Sequence, residues 1–291
     1  MPVQAPVPDD LRQQARRVAA KAAAYAGVEF RDLHELHDLQ PVVDLFDRTW
    51  STDKGSYLPL NLVRALAHAG SHVSAALRDG EVVGALVGFF GLYKGQHALH
   101  SHMLAVSPAM RGRNIGYALK LHQRAWSLDT GIEIITWTFD PLMSRNSYLN
   151  LTQLGAVAAE YLPNFYGAMA DSINAADESD RILAAWWLTR ERAIAATNGE
   201  RPDEASLMRR MNPTTVLEVG RGARPIIKRA TGEAALLCYI PSDIDAVRRR
   251  NANLALQWRH ALRGALGDAL RDGYEIEAFL RSGCYLLRRS E

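Results

Sequence analysis

The apolar positions in the first half of the chain change from helical to strand-like spacing. They recur at helical spacing between Leu11 and Ala26, which predicts an amphipathic helix that packs on the body of the protein. Farther along, longer apolar runs flank Asp79-Gly80, a dipeptide that favours a tight hairpin turn. The predicted order is a strand at 28–33, helices at 36–50 and 58–68 with a polar loop at 51–57, and strands at 72–79, 81–93 and 98–106.

The second half of the chain alternates helical and strand-like segments. A helix with an apolar face follows residue 114 and ends before Gly131, and a buried strand then runs to Pro141. A late helix carries apolar residues at helical spacing from Leu254 to Leu270, which indicates a smaller lobe of mixed α and β structure. Between these segments we expect a helix at 146–154, strands at 156–167 and 181–189, and a polar linker at 197–206.

Composition restricts the class of protein. The 291 residues are 48% hydrophobic and 23% charged, which is typical of a globular chain with a large core. No apolar run reaches the roughly 20 residues of a membrane span, and the N-terminus lacks the layout of a secretory signal, so a cytoplasmic protein is expected. Cys238 and Cys284 lie in apolar segments without metal-binding spacing, which predicts buried free thiols and no metal site built on them.

Charge is spread unevenly, although the net charge is only +2. Residues 201–291 contain 16 basic and 11 acidic side chains, so this part carries +5 and the first 200 residues carry −3. Arg248, Arg249 and Arg250 form a short basic cluster that fits a solvated helix end better than a nucleic-acid patch. We therefore expect no nucleic-acid or membrane partner, whereas the arginine excess could bind a carboxylate of a substrate.

The most informative segment for function is 98–119, in which an apolar strand leads through Ser-Pro into a basic turn and then a helix. The turn lets amide N–H groups converge on a ligand, and the helix start adds the positive end of its dipole. Arg111 and Arg113 would repel each other there without an anion. This order predicts a phosphate-binding site; the alternative is that Gly112 and Gly116 serve only a tight strand-to-helix connection.

The same segment resembles the signature V-x-P-x-x-R-G-x-G-I-G of the GNAT acyl-CoA N-acyltransferases. Asn114 stands where the signature has the glycine that follows R-G-x, and Asn tolerates left-handed backbone well enough to keep the turn. The later block ITWTFDPLMSRNSYLNLTQLGAV is similar to a little-characterised branch of that family, which has a C-terminal extension. The matching positions of the signature are Val106, Pro108, Arg111, Gly112, Ile115, Gly116 and Leu119.

The resemblance implies an α+β fold with a mixed, mostly antiparallel central sheet flanked by helices, and a smaller C-terminal α+β lobe. It also implies three parts of the chain. These are an N-terminal helix at 1–27, an acyl-CoA-binding catalytic domain at 28–199, and a C-terminal extension at 200–291.

The ligand that the resemblance implies is acetyl-CoA or another acyl-CoA, with its pyrophosphate on the turn and its pantetheine arm against the strand before it. A bulge in this strand would expose the backbone N–H of Leu104 or Ala105 to the reaction's oxyanion. Asn146 and Asn150 could bind the pantetheine amides, although Asn146 could equally cap its helix. The expected cofactor-binding residues are Leu104, Ala105, Val106, Arg111, Gly112, Arg113, Asn114, Ile115, Gly116, Tyr117, Asn146 and Asn150.

Acyl transfer to an amine needs a base, and three residues are candidates. His100 and His102 stand two apart on a strand and so face the same side, where one could act through a water; the alternative for each is a hydrogen-bonded core histidine. Asp140, at the end of ITWTFDP, is the rival base, and its alternative is a cap of the following turn.

The proton donor for the leaving thiolate is less well marked. The family often has a tyrosine on the helix after the fifth strand, but Leu151 occupies that position here. Tyr148 on the same helix, or Tyr161 and Tyr166 beyond it, are the substitutes.

These observations predict an N-acyltransferase that moves an acyl group from acyl-CoA to the amine of a small molecule in a ternary complex. The acyl group could be acetyl, or a longer or carboxylated group such as succinyl. The alternatives are a non-catalytic CoA- or metabolite-binding protein and acyl transfer to a macromolecular amine. The sequence leaves a homodimer open.

Overall fold

The computed structural model describes residues 7–50, 56–167, 177–230 and 232–290. Most of the polar loop predicted at 51–57 lies outside the described residues. The described chain divides into two units, and the boundary falls inside a strand. Of the described residues, the first unit contains those within 7–137 and 187–194, and the second contains those within 138–186 and 195–290.

The first unit is a sheet between two layers of helices. Its first four strands, β1 to β4, pair antiparallel in sequence order, and β5 joins β4 in parallel. Its elements are α1 (Asp9–Ala26), β1 (Glu29–Asp32), α2 (Leu36–Thr49), α3 (Leu60–His68), β2 (Val73–Arg78), β3 (Glu81–Tyr93), β4 (Gln96–Val106), α4 (Ile115–Asp129) and β5 (Ile134–Phe139), of which β5 ends in the second unit.

Alternating strand residues fill a separate core on each face of this sheet. On one face Ala75, Val87 and Met103 pack with the apolar sides of α2 and α3. On the other face Ala76 and Leu86 pack with α1 and with the start of α4. This alternation is the period of two that a strand buried on both sides requires.

The N-terminal helix was predicted to pack on the body of the protein, and it packs on α4. Arg16 and Asp129 form a salt bridge of 2.8 Å between the two helices, and Arg124 donates to Gln14 at 2.8 Å. Tyr25, which the helical spacing placed on the apolar face, is instead 79% exposed. The Asp79-Gly80 hairpin is confirmed, because both residues have the positive φ that its turn requires.

The second unit contains a five-stranded mixed sheet in the order β11-β12-β10-β8-β9. Its only parallel neighbours among the described strands are β8 and β10. The elements, some of which begin in the first unit, are α5 (Ser144–Ser147), β6 (Val157–Leu162), β7 (Arg181–Trp187), α6 (Glu191–Thr197), α7 (Glu204–Met211), β8 (Thr214–Val219), β9 (Pro225–Ile227), β10 (Ala235–Tyr239), α8 (Ile244–Arg250), α9 (Ala252–Leu262), α10 (Asp268–Arg271), β11 (Tyr274–Leu280) and β12 (Cys284–Arg289).

Helices in this unit differ from the predicted pattern at three places. The helix expected at 146–154 starts at Ser144 as α5 and continues as π-helix over Tyr148–Gln153. The polar linker at 197–206 already contains the start of α7, which is capped by the side chain of Asp203. The late long helix is interrupted by π-helix over Arg263–Gly267, which separates α9 from α10.

The fold class is the predicted one: α+β, with a mostly antiparallel mixed sheet, flanking helices and a second sheet late in the chain. The predicted boundaries after residues 27 and 199 remain predictions. Cys238 and Cys284 are buried free thiols. None of the described helices has the length and apolar character needed to cross a membrane.

Candidate functional site

A tight basic turn connects β4 to α4. After Val106 the chain makes one turn of 3₁₀-helix over Pro108–Met110 and enters α4 at Ile115. Two turn residues have left-handed backbone, Gly112 at φ 81° and Asn114 at φ 60°. Asn114 therefore adopts the conformation that the sequence motif usually assigns to glycine, as Asn does more readily than other side chains.

The start of α4 leaves backbone N–H groups available to a ligand. The side chain of Asn114 makes no capping hydrogen bond, and its carbonyl accepts from the N–H of Ala118 at 3.0 Å. The N–H groups of the first helical turn have no acceptor within the helix, and they lie at the positive end of its dipole. This end of α4 is suited to bind phosphate oxygens.

Close packing of α4 on β3 fixes the position of the turn. Gly84 on β3 lies against the first turn of α4, where an added Cβ would be 3.0 Å from Ile115 Cγ2 and 3.1 Å from Leu119 Cδ1. A side chain at position 84 would therefore push the helix away from the sheet. Gly84 was not among the predicted site residues, although glycine inside an apolar strand is a signal of close approach.

Two arginines give the turn a positive charge that the protein does not neutralise. Arg111, Gly112, Arg113 and Asn114 are all exposed. Within the described residues, the guanidinium groups of Arg111 and Arg113 have no ion-pair or hydrogen-bond partner. Unpaired cations beside the positive end of a helix are unfavourable unless an anion binds between them. The structure thus gathers the predicted residues 111–117 on one surface suited to an anion.

β4 contains a bulge, but earlier than predicted. Its pairing with β3 shifts at His102, which is left as the extra residue, whereas Leu104 and Ala105 stay in regular register. The prediction of a bulge at Leu104 or Ala105 was therefore wrong in position. Gly88 of β3 lies beside the bulge and permits a close approach of the two strands, since a Cβ there would be 3.1 Å from the carbonyl oxygen of His100.

The other edge of β4 is paired over a short distance only. In the described residues, its parallel ladder with β5 consists of Leu99↔Ile135 and His100↔Thr136. β4 continues to Val106 beyond this ladder. Backbone groups on that edge are consequently free to bond a ligand that lies along the strand.

The two predicted histidines share one face of β4. Their ring centroids are 6.1 Å apart, and both rings contact Phe89, at 5.2 Å from His100 and 5.7 Å from His102. His100 is half-buried with Nδ1 3.1 Å from Thr136 Oγ1, while His102 is exposed. Desolvation, followed by the neighbouring His102 and Lys120, lowers the pKa of His100 to about 4, and desolvation also lowers the pKa of His102. Both lowered pKa values favour the neutral imidazole, which has a nitrogen lone pair able to accept a hydrogen bond or a proton.

A buried lysine, which the sequence pattern did not reveal, lies between α4 and the sheet. Lys120 is 4% exposed, and its Nζ donates to Ser101 Oγ at 2.8 Å and to Gln123 Oε1 at 3.2 Å. The same Nζ lies 3.9 Å from the ring centroid of Trp137. Burial lowers the pKa of Lys120 to about 7, since its contacts in the described residues do not include a carboxylate.

Asp140, the predicted rival base, is buried in an ion-pair cluster of the second unit. Arg259 donates to both of its carboxylate oxygens, at 2.6 and 3.0 Å, and Arg248 donates to Oδ2 at 2.7 Å. Asp177 accepts from the same two arginines, each at 2.8 Å. Burial favours the neutral acid, but the charges and hydrogen bonds of Arg259 and Arg248 hold the pKa of Asp140 below its ordinary value. This environment favours a structural role over proton transfer.

The turn-capping alternative for Asp140 is also realised, because its Oδ1 accepts from the backbone N–H of Leu142 at 2.9 Å.

The arginines of this region are paired with carboxylates of the protein itself. Arg263 pairs with Asp180 and Glu178, so three guanidinium groups of α8, α9 and the following π-helix already hold carboxylates. Their excess of positive charge is thus largely compensated within the second unit.

The predicted tyrosines of the second unit have different environments. The hydroxyl of Tyr148 accepts from Arg281 Nε at 3.1 Å. Tyr166 is 43% exposed, and its hydroxyl lies 3.0 Å from Thr138 Oγ1. Tyr161 is buried and donates to Asp180, and burial first and that carboxylate second raise its pKa well above the ordinary value.

The two predicted asparagines lie on the helical segment that follows β5. Asn146 is half-buried in α5, and Asn150 is buried in the π-helical part. The capping alternative for Asn146 is not realised, since no side chain caps the start of α5. Leu151, at the position where the family often has tyrosine, is 1% exposed and belongs to the core.

The bulged strand, the basic turn and the open N-terminus of α4 together form an arrangement suited to an anionic ligand. Residues 32–148 match the model of the Acetyltransferase (GNAT) family. This match over residues 32–148 confirms the family resemblance seen in the signature. No functionally curated protein is significantly similar to it in sequence.

Solved structures with a similar fold include acetyltransferases of several kinds. Arabidopsis thaliana NAA60 in complex with acetyl-CoA is 16% identical, with 55% of this chain and 99% of that chain covered and a TM-score of 0.43. The ribosomal-protein-S18-alanine N-acetyltransferase from Escherichia coli is 14% identical, with 56% and 95% covered and a TM-score of 0.45. The aminoglycoside acetyltransferase meta-AAC0020 from an uncultured soil metagenomic sample is 18% identical, with 39% and 78% covered and a TM-score of 0.36.

Proposed function

We propose that the protein transfers an acetyl group from acetyl-CoA to the amine of a small molecule, by direct transfer in a ternary complex. The observation that carries this proposal is the turn before α4, with its free N–H groups and the unpaired Arg111 and Arg113. A pyrophosphate offers oxygens for both kinds of donor. The match of residues 32–148 to an acetyltransferase family model supports acetyl-CoA as the source of that pyrophosphate.

The free edge of β4 is proposed to bind the rest of the donor. The pantetheine arm would lie along the strand past His100, where the ladder with β5 ends. A backbone N–H freed by the bulge at His102 would stabilise the oxyanion, because a fixed donor aimed at developing charge lowers the barrier without reorganisation. Asn146 and Asn150 remain proposals for binding the pantetheine amides.

His102 is the proposed general base. The acceptor amine is an ammonium ion at neutral pH and must lose a proton before it attacks the thioester. His102 is exposed and neutral, so it can take this proton directly or through a water, whereas His100 is held by Thr136 and has the lower-lying pKa of about 4. We assign His100 a positioning role through its contact with Phe89.

Tyr166 and Tyr148 are the proposed sources of a proton for the thiolate. The exposed Tyr166 is favoured because, among the described residues, its hydroxyl hydrogen-bonds to another hydroxyl alone, that of Thr138, and can still donate. The hydroxyl of Tyr148 accepts from Arg281. Substitution of each by Phe, with thiol release measured, separates the two.

Acetyl-CoA binding and turnover test the function directly. Calorimetry with acetyl-CoA should give one site per chain, and thiol release should depend on a small amine when amino acids, polyamines, aminoglycosides and short peptides are compared. Binding without turnover on any amine would favour the non-catalytic alternative. Turnover on peptides alone would favour a macromolecular acceptor, and absence of acetyl-CoA binding would contradict the proposal.

The role of His102 is tested by His102→Gln with His97→Gln, an exposed histidine at the start of β4, as the matched control. The first change should lower kcat by roughly 10²–10⁴-fold with a much smaller change in KM, as expected for loss of a general base. It should also remove the fall in kcat/KM at acidic pH. A kcat within about twofold of the control would contradict this assignment.

A further inference from the structure

A second group of histidines lies in the first unit, away from the two histidines of β4. Asp32 ends β1, His72 immediately precedes β2, and His122 lies in the middle of α4. Both imidazoles point at the same carboxylate oxygen: Asp32 Oδ1 is 3.2 Å from His72 Nε2 and 2.9 Å from His122 Nε2. The three candidate ligand atoms all lie within 4.8 Å of one another.

We propose that Asp32, His72 and His122 form a binding site for a divalent transition-metal cation of the zinc type. Two neutral imidazoles and one carboxylate are a ligand set that zinc and its neighbours in the first transition row accept. Bonds of about 2.1 Å in a tetrahedral site place ligand atoms roughly 3.4 Å apart, close to the spacing of the oxygen and the two nitrogens here. Small side-chain adjustments would admit the ion.

The rings of both histidines are held in place by stacking. His72 stacks on Trp126, with centroids 4.3 Å apart and planes at 16°, and His122 stacks on Phe30, at 4.7 Å and 24°. Phe30 is two residues before Asp32 on β1, and Trp126 is one helical turn after His122 on α4. The ligands are therefore oriented before the ion arrives, which reduces the entropy lost on binding.

Access to the site is from the side of Asp32 and His122. The side chain of His72 is fully buried, whereas those of Asp32 and His122 are 35% and 20% exposed. Three protein ligands and a solvent-facing side leave a coordination position for water.

The environment of His72 sets a limit on affinity. When Nε2 binds a metal, the proton of the neutral ring must lie on Nδ1, and within the described residues this atom is buried with no hydrogen-bond partner. Metal-binding histidines normally donate from their second nitrogen to an acceptor. We therefore expect binding weaker than that of a structural zinc site, whose ligands are all supported in this way.

Metal binding would join three parts of the fold that are distant in sequence. β1, the start of β2 and α4 would be held by one ion, and α4 begins at the basic turn. The ion would stabilise the folded chain by mass action, because the three ligands are close together only when it is folded.

The test uses the full chain without a histidine tag, freed of metal by a chelator. Titration with Zn²⁺ in a calorimeter should give one site, and Co²⁺ should produce the visible absorption of a site with nitrogen and oxygen ligands. Asp32→Asn keeps an oxygen acceptor for the imidazoles but removes the charge, and His122→Gln removes a ligand. Each should weaken Zn²⁺ binding by at least about tenfold, whereas the control His97→Gln should not.

Folding of the variants is checked by their melting temperature without metal. If a variant unfolds, the wild-type chain still tests the site, since Zn²⁺ should perturb the ring resonances of two of its nine histidines. Absence of Zn²⁺ binding to the wild type would overturn the proposal. Wild-type affinity in both folded variants, or perturbation of a different pair of histidines, would do the same.

Discussion

Two groups of arginines show opposite uses of positive charge. Arg111 and Arg113 lie on the turn before α4, exposed and without a partner in the described residues. Arg248 and Arg259 lie in the second unit, where the side chains are 12% and 1% exposed and both bond to Asp140 and Asp177. The first pair can act on a ligand, and the second pair already has its anions within the protein.

Exposure to solvent and neutralisation by a partner decide the role of each of these arginines. A buried ion pair costs desolvation, and loss of one partner leaves a buried charge unpaired, so such residues are sensitive to substitution. Exposed unpaired arginines contribute little to folding, so their substitution should change binding alone. The largest expected effect therefore concerns the buried pair.

Arg259→Met should destabilise the protein by about 3–5 kcal/mol, because it leaves Asp140 and Asp177 buried with one arginine fewer. Urea unfolding followed by circular dichroism measures this change. Arg271→Ala is the matched control, since Arg271 is exposed and its pair with Asp268 is also exposed. Equal stability of the two variants would show that the cluster has no structural role.

Lys120 is a third kind of cation, buried without a carboxylate. Its pKa falls from 10.5 to about 7 in the folded protein, so between these values the unfolded chain binds more protons. The lysine contribution to stability should therefore rise with pH by up to about 1.4 kcal/mol per unit across this window. Unfolding free energies of wild type and Lys120→Met, measured from pH 7 to 9, give this contribution by difference.

The pH dependence separates this effect from simple packing. The unfolding free energy of Lys120→Met minus that of wild type should be larger at pH 7 than at pH 9, because only the wild type gains stability as the pH rises. Lys21→Met, a change at an exposed position of α1, should follow wild type at every pH. If the difference between Lys120→Met and wild type is the same at pH 7 and 9, Lys120 does not titrate in this range.

Arg111→Ala and Arg113→Ala should each weaken acetyl-CoA binding by roughly 1.5–3 kcal/mol, the value of a hydrogen bond to a charged group. Their unfolding free energies should stay within about 0.5 kcal/mol of wild type, as for other exposed surface positions. Calorimetry and urea unfolding measure the two quantities. Arg17→Ala removes the same charge from an exposed site on α1 and should change neither. Unchanged affinity in both turn variants would exclude the turn as the phosphate site.

Local sequence patterns predicted much of the first unit. The strand expected at 81–93 has those bounds in β3, and Asn114 has the left-handed backbone expected of its place in the turn. Both depend on neighbouring residues: an apolar run bounded by turns in one case, and a motif of adjacent positions in the other.

Features that depend on distant residues could not be predicted in this way. The bulge at His102 lies beside Gly88 on another strand, and the partners of Asp140 lie 108 and 119 residues away. Lys120 of α4 is buried against Ser101 of β4 and Trp137 of β5, which both contact its Nζ. The spacing of residues along the chain does not predict such contacts between different elements.

The smallest expected effect tests whether backbone shape contributes to the turn beside its charge. Asn114→Ala should destabilise the protein by about 1 kcal/mol, because left-handed backbone is unfavourable for alanine, whereas Asn114→Gly should change stability by less than about 0.5 kcal/mol. Both keep Arg111 and Arg113, so any loss of acetyl-CoA affinity in the alanine variant reports displaced N–H groups. Asn253→Ala, at an exposed position within α9, is the control with ordinary helical backbone. If alanine and glycine at 114 give the same stability and affinity, charge alone defines the turn, and its resemblance to the glycine-rich signature has no energetic consequence.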